Sequence, residues 1–208
     1  MATKQSTIST HRGRPCAFDR DAALNAALDV FWKRGYEPAT ISELCAAMGI
    51  NPPSLYAAFG NKSALFLEAA SHYESVYWDA AWERLGASSS VVNGVERFFD
   101  DAADILTAPA TPCGCMIVLA AVNISDGADD VCNTLKALRG QGVARFRALL
   151  DKGIASGELR QDTSVGIVAE ALKTLLEGLS IRARDGTSRQ ELANIGAQAV
   201  RMLPVASE

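Results

Sequence analysis

Residues Thr40 to Lys62 read T-I-S-E-L-C-A-A-M-G-I-N-P-P-S-L-Y-A-A-F-G-N-K. Their spacing predicts two short helices joined by a tight turn. Thr40 is a good N-cap, and Glu43 three residues later sets up a capping box. Ile41, Leu44, Cys45 and Met48 recur at helical spacing and make one apolar face. Gly49 suits the left-handed conformation that ends a helix. Ile50 plugs the turn. Asn51 caps a second helix with Pro52 at its first position, where a missing N–H costs nothing. Leu55 and Phe59, four apart, form its inner face. Gly60 ends it and Asn61 caps the next helix.

Helix, glycine-containing turn, helix is the helix-turn-helix pattern, whose second helix lies in the major groove of DNA. Spacing alone also allows an ordinary packed helix pair. The residues decide more than the spacing: G-Y-E-P-A-T-I-S-E-L-C-A-A-M-G-I (Gly35 to Ile50) and S-L-Y-A-A-F-G-N-K (Ser54 to Lys62). Through them the chain resembles the TetR/AcrR family of bacterial transcriptional repressors, densely over about residues 14–70. The resemblance implies an all-α protein: a three-helix DNA-binding head, and a larger helical body that binds an effector and dimerises. It also implies phosphate contacts from Thr40, Tyr56 and Lys62.

Working outward, residues 1–17 are expected to be a flexible basic arm, with Arg12 and Arg14 in R-G-R-P able to follow a phosphate backbone or enter a minor groove. Residues 18–62 are the expected head and 63–208 the body. A first helix opens at Asp19 and runs to about Arg34, with Leu24, Ala27, Leu28 and Phe31 inward. Through Lys62 the chain holds 7 Lys/Arg against 5 Asp/Glu, a net of +2; the rest holds 13 against 19, a net of −6. The positive part coincides with the proposed DNA contacts, although the whole chain is at −4.

The second helix of the motif would turn Pro52, Pro53, Ser54, Ala57 and Ala58 toward base edges. Only Ser54 among these forms hydrogen bonds, and none offers the bidentate pairing that distinguishes bases. Tyr56 and Lys62 stand beside that face and would fix position. Helix N-termini at Thr40 and Asn61 add backbone N–H groups.

Beyond the head, the pattern predicts one long helix to about Leu85, then helices over about 91–106, 113–123, 128–155, 163–183 and 188–203, about nine in all with no strand. The resemblance places a ligand cavity in the body, and Trp78, Trp82, Phe98, Met116, Leu119, Phe146, Leu149 and Leu175 are the residues expected to line it. Such a lining suits a small hydrophobic molecule, and no charged pair marks it. The last two helices are expected to carry a homodimer interface through Val168, Leu172, Leu175, Leu179, Leu192, Ile195, Ala199 and Met202.

Composition is that of a globular protein, 49% hydrophobic and 21% charged. No apolar run is long enough for a bilayer and the N-terminus has no apolar signal segment, so no membrane partner and a cytoplasmic location are expected. Five cysteines fit a reducing compartment. Cys113 and Cys115 form a C-x-C next to Gly114, open to thiol or soft-metal chemistry. No second Cys pair or nearby His completes a zinc site, so no metal and no cofactor are expected. The leading reading is a homodimeric repressor released from a palindromic operator by a small molecule. The alternatives are a regulator that senses oxidants or electrophiles through Cys113 and Cys115, or an all-α redox enzyme.

Overall fold

The computed structural model describes residues 18–120 and 127–206. Arg12 and Arg14 of the arm therefore lie outside the described residues. The described chain is helical: α1 (Arg20–Arg34), α2 (Ile41–Met48), α3 (Pro52–Phe59), α4 (Lys62–Tyr73), α5 (Asp79–Ala87), α6 (Val91–Leu106), α7 (Met116–Leu119), α8 (Asp129–Ser156), α9 (Val165–Arg184) and α10 (Arg189–Gly196). A π-helical turn, Glu74–Trp78, joins α4 to α5, and a 3₁₀ turn, Ala197–Met202, continues α10.

Local chemistry explains the head. Asp19 caps α1 by accepting from the N–H groups of Asp21 and Ala22. Thr40 Oγ1 accepts from Glu43 N at 3.2 Å. The Glu43 carboxylate is held by Arg34 Nε at 2.9 Å, which links α1 to α2. The one complete capping box among the described residues stands instead at Ser188 and Glu191, opening α10. Gly49 has φ 66° and ψ 28°, the left-handed turn that ends α2. α1 packs across α2 and α4, and the head's core joins Leu24, Leu28 and Phe31 to Leu44, Leu55 and Phe59. Leu65, Phe66 and Ala69 of α4 close that core, beyond the expected boundary at 62.

The expected long helix is present from Lys62 to Ala87, interrupted by the π-turn. Such a bulge shifts the register of every side chain that follows. Here it buries Trp78, whose indole Nε1 donates to the Tyr73 hydroxyl at 2.9 Å. The body's core is then aromatic: Trp82 and Phe98 have ring centroids 4.3 Å apart, and Phe146 meets both edge-on. α8 and α9 pack along each other, with α6 against both and α10 against α6 and α9.

The apolar segment expected as a helix over 113–123 is helical only at Met116–Leu119 among its described residues. Gly114 explains the late start. Its φ is 84°, and its N–H is spent on Leu106 O at 2.9 Å. No helix among the described residues is long and apolar enough to cross a membrane. An isolated antiparallel bridge, Leu159 to Val205, is not a strand; it returns the C-terminal residues beside the loop after α8.

Candidate nucleic-acid interface and body cavity

α3 buries Leu55 and Phe59 and leaves Pro52, Pro53, Tyr56 and Ala57 exposed, with Ser54 and Ala58 half-buried. Asn51 Oδ1 accepts from Ser54 N at 2.9 Å, so the start of α3 is held while its outer face stays free. Arg20 fixes the other end of α3: its guanidinium pairs with Glu68 of α4 and lies 4.5 Å from the centre of the Phe59 ring. Nothing in the local spacing signals this clamp, since Arg20 and Glu68 are 48 residues apart. Thr40 is exposed at the N-terminus of α2. Lys62 is placed otherwise than a free phosphate anchor. Its Nζ donates to Glu37 O at 3.1 Å and sits 4.5 Å over the Tyr36 ring, and burial lowers its pKa.

Head and body meet through the loop before α7 and through α9. Trp32 of α1 donates from Nε1 to Gly114 O at 2.9 Å, while its ring stands edge-on to Tyr73 and Tyr77. The next residue, Cys115, donates its N–H to Ser180 Oγ of α9 at 2.7 Å. A Cβ on Gly114 would stand 2.7 Å from both Leu119 Cδ1 and Ser180 O, so only glycine fits there. Arg184 Nη2 of α9 adds a bond to Lys33 O at 3.1 Å.

Next to this loop lies a cavity between the π-turn, α7, α8 and α9. Trp78 and Trp82 line it, as expected. The other six expected residues do not line it. Phe98, Phe146 and Met116 are fully buried, with both phenylalanine rings packed in the aromatic cluster; Leu149 borders a separate surface groove, Leu119 approaches Gly114, and Leu175 is half-buried on α9. The remaining wall is Ile117, Val118, Leu138, Gly142 and Leu176, with Glu74, Cys115, Arg139 and Lys173. Charged side chains therefore stand on this wall, although the partner of Lys173 lies outside the lining. Lys173 Nζ lies 2.8 Å from Glu177 Oε1. Burial pushes the Glu74 carboxyl up to about 7, against the pull of Arg145 and Lys173. These groups are scattered through the sequence, and only folding assembles them.

The two cysteines face different surroundings. Cys113 is exposed; Cys115 is buried against the Tyr73 hydroxyl, and burial pushes its thiol up. A raised thiol pKa means less of the reactive thiolate. Among the described residues no cluster of three or more His, Cys, Asp or Glu could hold a metal ion.

The dimer expectation is corrected in part. Leu172, Leu179, Leu192 and Ala199 are fully buried within the chain itself, so their side chains are unavailable to a partner. Val168 is half-buried. Ile195 and Met202 are exposed, and α9 adds Ile167, 74% exposed, and Ile181, 52% exposed, which the sequence reading passed over. With Gly178 between them, these two follow one helical stripe.

Comparison with known proteins agrees with this architecture. Residues 23–69 match the family model for bacterial regulatory proteins of the tetR family, and residues 92–197 match a Tetracyclin repressor-like C-terminal domain. The chain is 33% identical over 206 residues to the HTH-type transcriptional repressor ComR of Escherichia coli strain K12, covering 98% of each. It is 27% identical over 199 residues to the repressor BdcR of the same organism, covering 96% of this chain and 94% of BdcR. A cysteine mutant of the TetR family regulator CifR, solved with 26-base-pair double-strand operator DNA, is 41% identical and superposes with a TM-score of 0.88, covering 92% of this chain and 100% of that one. The chain belongs to the tetR family of bacterial regulatory proteins.

Proposed function

We propose that the protein is a homodimeric repressor that binds a palindromic operator through α3 and leaves it when a small molecule enters the body cavity. The observation that carries this reading is the exposed outer face of α3, held at both ends by Asn51 and Arg20. That face presents Pro52, Pro53, Tyr56 and Ala57, with Ser54 at its edge. It offers methyl and ring contacts but few donors, so Thr40, Tyr56, Lys62 and the arm residues Arg12 and Arg14 supply the positioning contacts. So sparse a face needs two copies to be selective. A symmetric pair reads two half-sites about one helical turn apart. Ile167 and Ile181 of α9, with Ile195 and Met202, supply a self-complementary apolar face.

Selection of binding sites from a random DNA library by the purified protein should enrich an inverted repeat; enrichment of a single unrepeated element overturns the dimeric reading. Ile181→Glu should give monomers in sedimentation that retain helical content and bind the selected site weakly. A dimer of unchanged stability would place the interface elsewhere.

A second reading keeps the head and makes Cys113 and Cys115 the sensing group, with Cys113 exposed and Cys115 on the cavity wall. Cys115→Ser separates the two: a variant still released by a non-reactive ligand excludes thiol sensing, and one that resists release only by thiol-reactive compounds establishes it.

A further inference from the structure

Three titratable side chains, Glu74, Arg139 and Lys173, line the cavity together with apolar ones. Lys173 is only 8% exposed, and its stem passes so close to Gly142 that a Cβ there would stand 2.9 Å from Lys173 Cε. Its ammonium is engaged from one side, by Glu177. Arg139 makes one hydrogen bond among the described residues, a long one of 3.3 Å to Ile117 O, and no ion pair. A guanidinium so placed retains a fork of donors whose geometry matches a carboxylate.

We propose that this cavity binds a small carboxylate with an apolar tail, its anionic end taken by Arg139 and Lys173 and its tail laid against Trp78 and Leu138. The assignment rests on the reading of the chain as an effector-released regulator and names the chemistry of the effector.

Charge decides between ligand classes. Two cations on the wall disfavour an ammonium ligand. A neutral ligand would cover Arg139 without pairing it and leave a desolvated charge. Glu74 is the acid on the wall, and its half-buried carboxyl holds a proton up to about pH 7. In that form it donates a hydrogen bond to an anion. The groups acting on Glu74 are Arg145 and Lys173, which favour its ionisation, and Asp79, which opposes it.

Size sets a further limit. The enclosed space is about 20 Å³, room for about one water, within about 400 Å³ that includes the open mouth. A ligand therefore has to be small, and it has to part the π-turn from the Cys115–Val118 wall. That wall continues into Gly114, whose carbonyl holds Trp32 of the head. Occupancy thus pulls on the contact between body and head.

Hexanoate, hexylammonium and hexanol share a tail and differ in charge, and none absorbs where tryptophan does. Titrated into the full chain, hexanoate should change the tryptophan emission saturably and more tightly than the other two. Arg139→Met should weaken hexanoate about tenfold or more while leaving hexanol as tight as before or tighter, and Arg139→Lys should recover part of the loss. Equal or tighter binding of hexanol or hexylammonium, no saturable response to millimolar hexanoate, or an unchanged affinity in Arg139→Met overturns the carboxylate assignment and leaves effector release standing. Hexanoate bound through Arg139 without any loss of DNA affinity does the reverse: it upholds the site and overturns effector release.

Discussion

In the head, the residues that face outward on α3 lie within one eight-residue helix; in the body, the cavity wall takes Glu74 from the π-turn, Cys115 from a loop, Arg139 from α8 and Lys173 from α9. The head's surface follows from helical periodicity and caps. The body's wall follows from how four elements pack. Substitutions in the head should therefore act locally, through a cap or a contact. Substitutions around the cavity should act on stability and on the link to the head together.

The largest effect is expected at Gly114. Gly114→Ala puts a Cβ 2.7 Å from Ser180 O and forces a side chain into positive φ. A loss of about 3 kcal/mol is expected in urea unfolding. A loss below about 1 kcal/mol would mean the loop yields easily and is no rigid link.

Glu74 comes next, and its sign runs opposite to most carboxylates. The folded pKa is raised from 4.5 to about 7, so the native state binds the proton more tightly than the unfolded chain. Stability from this group is full below the unfolded value, falls as pH rises from about 4.5 to 7, and is level above that. Glu74→Gln should remove this fall. At pH 8 the variant should exceed the parent by about 2 kcal/mol, and at pH 4 the two should match. Parallel stability curves would show that Glu74 is solvated.

Smaller effects test the contacts one at a time. Trp32→Phe keeps most of the ring packing and removes the bond to Gly114 O, with an expected cost of about 1 kcal/mol. Its sharper consequence is on coupling: bound ligand should no longer reduce DNA affinity as strongly. In the head, Lys62→Ala should lower the slope of log affinity against log salt by about one. Lys62 is folded onto Glu37 O and Tyr36 in the absence of DNA, so a role at phosphate requires it to swing out. An unchanged slope would leave it as a clamp within the head.

Much of the fold was legible because its signals are local. Asp19, Thr40, Asn51, Asn61, Ser90 and Ser188 each accept from a backbone N–H at the start of a helix. The helix Val91–Leu106 falls where its apolar spacing places it. The cavity was only half legible: Trp78 and Trp82 stand out as large aromatics at helical spacing, but Phe98 and Phe146 share that signature and pack into the cluster instead. Lys173 was invisible as a cavity residue, because a lysine in a sequence carries no sign that its stem will be buried against Gly142. The last helix pair misled in a related way. Leu172 and Leu192 fill the chain's own core, while Ile167 and Ile181 face outward, and spacing along the helix does not tell the two faces apart.

By itself the sequence determined most of the helices, the turn between α2 and α3, and the family to which the chain belongs, since caps, turn residues and periodicity act over a few positions. Only the tertiary structure decided which apolar faces stay open, that Lys62 folds onto the head, and that Glu74, Arg139 and Lys173 meet in one space. Those outcomes depend on burial and charge among residues distant along the chain, and such distances close only when the helices pack.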